Sequence, residues 1–172
     1  MSENNNGIKS MHKSKWAFAF LLFISIGTLS CNRDGKTSKR EDDLKSVEYY
    51  ILDFKNLPEN VRSSLFSKEF VGFDLSEHDI ITSELLLKSQ IAKFNENAPS
   101  RIELEKYGRQ YVGVKSPAGE IIVYINCFCN PNEFSDKKKT LIKVFDGGVC
   151  YFELKINLSK GKIFDFATNG SA

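Results

Sequence analysis

The chain has 172 residues, with 24 Lys+Arg against 22 Asp+Glu, and its 41% hydrophobic content includes 14 Phe and 6 Tyr. That apolar content excludes wholesale disorder. Lys9, Lys13, Lys15 and Glu3 all fall within the first 30 residues, so the remainder is formally neutral; a neutral chain has no long-range field to draw in nucleic acid.

Residues 1–15 are polar and end near Lys13 and Lys15, Trp16 to Leu29 is almost wholly apolar, and Ser30 and Cys31 follow. This order of basic, apolar and small-residue regions is that of a secretion signal. As a helix the apolar run rises only about 21 Å, against a hydrocarbon core of about 30 Å, so a permanent transmembrane span is not expected. Thr28-Leu29-Ser30-Cys31 resembles the lipobox of bacterial lipoproteins, with Leu two residues before the Cys rather than three. The resemblance implies cleavage before Cys31, acyl chains such as palmitate on Cys31, and a cell-envelope protein held to a membrane by that lipid, facing the periplasm or the surface. An ordinary secretion signal followed by a chance cysteine is the alternative reading. On this division residues 1–30 are the signal, 31–46 the lipidated Cys and a flexible tether of mixed charge, and 47–172 a single folded domain.

Within that domain, Val47 to Phe54 is rich in aromatic and β-branched residues and predicts a strand. Pro58 suits a first helical turn, and Val61, Leu65, Phe66 and Phe70 recur near helical spacing. Ser76 with Asp79 three residues on has the form of a capping box. Beyond it Ile80, Leu87, Ile91 and Phe94 fall on one stripe, widened by Ile81 and Leu85, which predicts an amphipathic helix ending between Asn95 and Pro99. Five strands are then predicted at Tyr111 to Lys115, Glu120 to Cys129, Leu141 to Phe145, Val149 to Leu158 and Lys162 to Phe166, with turns at Ser116-Pro117-Ala118-Gly119 and Asp146-Gly147-Gly148. The reading is an α+β fold in which a helix packs on an antiparallel meander sheet of four to five strands. Ile121, Val123 and Ile125 alternate with Ile122, Tyr124 and Phe128, so the second of these strands is apolar on both sides. One face falls to the helix, and the segment 47–70 is the internal candidate to cover the other.

Tyr151 to Gly170 is similar to the closing hairpin of PepSY-like and cystatin-like secreted domains: a strand, a Gly-containing turn, and a second strand ending in Asn-Gly. The resemblance implies a small binding or inhibitory module rather than an enzyme, and it carries over no catalytic residue.

After the signal there is one histidine, His78, set between Glu77 and Asp79 in a first helical turn, and no nucleotide-binding glycine motif occurs. No catalytic residue and no cofactor are therefore expected. Cys127 and Cys129 are two apart, which in a strand puts both thiols on one face about 6.5 to 7 Å apart; with Cys150 they form the alternative reading, a thiol-based metal or redox protein. If the meander runs in order, a third strand separates Cys150 from the C-x-C strand by about 9.6 Å, beyond the roughly 7 Å that a disulfide spans. Cys127 and Cys150 as small apolar core residues, or a disulfide in a different strand order, are the competing readings. Aromatic side chains at strand spacing either pack in the core or form a recognition surface that includes Tyr124, Tyr151 and Arg109, with a small molecule or an envelope protein as ligand.

Overall fold

The computed structural model describes residues 48–170. The residues expected to form a secretion signal and a tether, Cys31 among them, lie outside the described residues. Twelve short elements build one mixed sheet and its two coverings. Strand β1 (Tyr49–Ile51) is followed by a 3₁₀ turn at Phe54–Asn56, helix α1 (Glu59–Leu65) and the two-residue strand β2 (Val71–Gly72). Helix α2 (Glu77–Asn97) leads through a 3₁₀ turn at Leu104–Lys106 into strands β3 (Tyr107–Lys115) and β4 (Ile121–Cys129). Two further 3₁₀ turns, Pro131–Glu133 and Gly148–Cys150, flank an irregular segment, and β5 (Tyr151–Asn157) and β6 (Lys162–Thr168) complete the sheet.

The α+β class holds, but the sheet is not an antiparallel meander. The order is β1-β3-β4-β5-β6, and β1 runs parallel to β3 with Tyr50 opposite Gln110. Beyond β1, β2 pairs antiparallel with the far end of β3, Val71 opposite Lys115, so two short strands share that edge. The closeness of this approach explains Gly113, where a Cβ would stand 2.4 Å from the carbonyl oxygen of Phe73.

The second departure is at residues 141–145, which form no strand. Their polar backbone is instead met by two side chains of the sheet. Gln110 Oε1 accepts from the Ile142 amide at 2.9 Å, and Asn126 Nδ2 donates to the Ile142 carbonyl at 2.7 Å. Gln110 Nε2 also donates to the carbonyls of Lys137 and Thr140, each at 2.7 Å. With its hydrogen bonds satisfied in this way, the segment lies over the sheet rather than in it, and Leu141 is buried in the core beneath. β4 is therefore free to pair directly with β5, Cys127 opposite Phe152.

Helix α2 forms as its sequence dictates. Ser76 Oγ accepts from the Asp79 amide at 3.3 Å, and Asp79 Oδ2 accepts from the Ser76 amide at 2.9 Å, closing the capping box. Ile80, Leu87 and Ile91 are buried against Tyr111, Val123, Ile125, Cys127, Leu154 and Ile156, which is the first core. Leu85, by contrast, is exposed. The opposite face of β3 and β4 presents Val112, Val114, Ile122 and Tyr124, and these are covered by Leu52, Phe54, Leu57, Leu65 and Phe66. The N-terminal segment thus supplies the second layer. Its cover thins beyond β4: of the β5 residues on that face, Asn157 is buried opposite Ile122, whereas Tyr151, Glu153 and Lys155 are not.

Candidate functional site

The half-covered second face carries two grooves. The upper one, of about 300 Å³, lies between the irregular 142–145 segment and the strands β4 and β5. Under its floor lies Tyr124, itself only 1% exposed, whose hydroxyl donates to Glu153 Oε2 at 2.6 Å. Burial, and then the neighbouring Glu153 charge, push the Tyr124 phenol far above its ordinary range, so this proton stays in place. Tyr151 forms one wall, braced edge-to-face by Phe134 at 6.5 Å between ring centres. The far wall is held by Asn169, which donates to the carbonyls of Val144 and Asp146 and so ties the C-terminal end of β6 to the loop. Phe145 stands at the rim, 91% exposed.

The lower groove, of about 500 Å³, is the more apolar of the two and lies between the end of α1 and the lower half of β4–β6. Phe66, Phe70, Ile122 and Phe164 line it, and Lys155, Lys160 and Lys162 stand around them. Lys155 Nζ sits 5.6 Å above the Phe66 ring and 3.0 Å from Asp165 Oδ2. Lys160 pairs with Glu120, whose carboxyl this bond, with a second from Asn157, holds below the usual carboxylate range. Phe164 owes its position to a bulge. β5 and β6 pair Lys155 with Asp165 and then Ile156 with Ile163, leaving Phe164 as the extra residue, turned outward and 58% exposed.

Of the three residues expected on a recognition surface, the structure brings Tyr124 and Tyr151 together in the upper groove and removes Arg109. Arg109 lies on the helix side of β3, only 1% exposed. Its Nε is 2.9 Å from Glu84 Oε1 of α2, and its terminal nitrogens donate to the carbonyls of Tyr107 at 2.8 Å and Leu104 at 2.9 Å. Tyr111 OH donates to the same Glu84 oxygen. This is a buried fastening between helix and sheet, and Arg109 is inaccessible to a ligand. Other aromatic side chains of the strands face the helix: Tyr107, Tyr111 and Phe166 pack in that core.

The thiols do not gather into a ligand set. Cys129 and Cys150 are joined by a disulfide, with Cα atoms 5.2 Å apart. The strand separation expected between them does not exist, because no strand intervenes between β4 and β5. Cys127 is free and fully buried, and burial pushes its thiol well above the ordinary range. Among the described residues no group of three or more His, Cys, Asp or Glu side chains is placed to hold a metal ion. His78 is exposed in the first turn of α2, as its neighbours suggested, and Cys31 lies outside the described residues.

The groove residues missed from sequence are of two kinds. Glu153 and Lys155 carried a signal, the wet positions of an alternating strand. Phe145 and Asn169 carried none, because their roles depend on the 142–145 segment lying over the sheet.

The fold and its face define an α+β domain with one side closed by a helix and the other half closed by the N-terminal segment. No family model matches the chain, and no curated protein or solved structure matches it significantly. Among the described residues no helix is long and apolar enough to cross a membrane.

Proposed function

We propose that the chain is a cell-envelope lipoprotein, anchored to a membrane by lipid on Cys31, whose domain is a non-catalytic binding or inhibitory module. The observation that carries the binding role is the half-covered second face, where large aromatic side chains meet fixed polar groups in open grooves. Isolated exposed apolar residues are ordinary, but Phe145 and Phe164 each stand beside a groove. The ligand is a small molecule or a segment of an envelope protein. The anchor rests on the lipobox-like Thr28-Leu29-Ser30-Cys31 alone. A thiol-based metal or redox role is not proposed, since two thiols are consumed in a disulfide and the third is sealed in the core.

Two measurements test the proposal. Cys31→Ala should abolish acyl labelling and shift the protein from the membrane to the soluble envelope fraction; unchanged membrane partitioning refutes the anchor. For binding, hydrolysed envelope material is titrated into the isotope-labelled full chain carrying Cys31→Ala. Amide shifts are expected on the second face of β4–β6 and in residues 142–145; shifts confined to α2 refute the binding face.

A further inference from the structure

We infer that the lower groove is a site for a single-chain amphiphile with a carboxylate head, a fatty-acid anion. The inference rests on the reading of the second face as the binding face and deepens it by naming a ligand class. At about 500 Å³ the groove is within the ordinary range for ligand sites. Phe66, Phe70, Ile122 and Phe164 give it an apolar wall on two sides, drawn from three separate parts of the chain. The bulge at Phe164 turns a large ring out of the sheet and onto this groove, where it is left 58% exposed. A ligand with an alkyl chain removes that ring from water.

The charges select the head group. Three lysines line the groove against one carboxylate, Glu120. Glu120 is already engaged by Lys160 and Asn157, and Lys155 is engaged by Asp165. Lys162 has no acidic partner among the described residues and stands two positions from Phe164 on the same strand. Among the described residues the excess is therefore one cation beside an apolar trough, which complements one negative charge on one chain.

The test uses three probes with the same twelve-carbon chain: laurate, dodecyl maltoside and dodecyltrimethylammonium, each below its micelle concentration. The protein is the full chain with Cys31→Ala, so that no attached acyl chain competes. Laurate should bind saturably, shift the amides around Phe66, Lys155 and Phe164, and bind better than either other probe. Lys162→Glu and Phe164→Ser alter exposed side chains and should leave the melting temperature close to the parent's. Lys162→Glu should weaken laurate about fivefold to tenfold and favour the cationic probe, as reversing one exposed charge implies. Equal affinity for all three probes, or laurate binding indifferent to both substitutions, overturns the inference. Laurate shifts confined to the Tyr124 and Tyr151 groove also overturn it but leave the binding-face reading standing. Shifts confined to α2 overturn both.

Discussion

Breaking the Cys129–Cys150 disulfide tests the strand order and the stability it confers together. The bridge closes a loop with a sequence separation of 21. Constraining a loop of that length in the unfolded chain stabilises the fold by about 3 kcal/mol through loop entropy. In the native state the same loop is held independently, by Gln110 and Asn126 through the carbonyls of Lys137, Thr140 and Ile142. The double variant Cys129→Ala/Cys150→Ala should therefore fold to the same structure and lose close to the entropic amount. For a domain of roughly 120 residues that is a fall of about 10 °C in Tm. Urea unfolding adds a second signature: without the cross-link the unfolded chain is more expanded, so the midpoint falls while the m-value rises. A loss below about 1 kcal/mol with an unchanged m-value would show that the bridge does not constrain the unfolded chain. Peptide mapping of the parent that found Cys127, rather than Cys129, bridged to Cys150 would refute the pairing itself.

Arg109→Met leaves the Glu84 carboxylate buried without its cation and should cost about 3 to 5 kcal/mol, while the double variant Glu84→Leu/Arg109→Met should recover most of it; denaturant titrations decide, and equal losses would show that the pairing itself is immaterial. Deleting residues 32–45 should change stability by less than about 0.5 kcal/mol, whereas deleting residues 32–70 uncovers Val112, Val114, Ile122 and Tyr124 and should cost several kcal/mol, at roughly 25 cal/mol per Å². A longer truncation that melts like the parent and binds no more hydrophobic dye would contradict the second layer. The thiolate is the reactive form of cysteine and burial raises the Cys127 pKa, so iodoacetamide at pH 8.5 should leave Cys127 unmodified in the native protein and alkylate it once guanidinium unfolds the chain. Native modification at the unfolded rate would place that thiol in solvent.

Helix α2 was legible in the sequence because its signals are local: the Ser76–Asp79 box and the Ile80, Leu87, Ile91 stripe are set within one element. The β3–β4 and β5–β6 hairpins were legible for the same reason, as Gly119 adopts a positive φ in a turn already marked by Pro117, whereas the hairpin expected across Asp146-Gly147-Gly148 does not form because residues 141–145 are not a strand. What was hidden depends on side chains from elsewhere. Gly108, Arg109 and Gln110 make the first half of β3 look like loop, yet Glu84 of the distant helix neutralises Arg109 and the 137–142 segment satisfies Gln110. The apolar pattern at 141–145 resembles a strand, but Gln110 and Asn126 take the hydrogen bonds a ladder would have used. Once that strand is removed, β5 moves beside β4, and the disulfide follows from the new order. Strand spacing put Tyr124, Tyr151 and Arg109 on one expected surface, but only the two tyrosines line the same groove, while Arg109 is buried. Period two distinguishes two faces without saying which is open, and Arg109 is on the face that α2 closes.

The open half of the second face is the surface through which we propose the protein binds. Photo-crosslinking amino acids placed singly at Phe145, Phe164, Ile51 and Leu85 compare four exposed positions, at 91%, 58%, 46% and 43% exposure, two beside the grooves and two away from them. After irradiation of intact cells, mass spectrometry of the purified protein should find discrete adducts at position 145 or 164 and none at 51 or 85. Adducts of equal yield at all four positions, or only at 51 or 85, would show that the open half of the second face is not the binding surface.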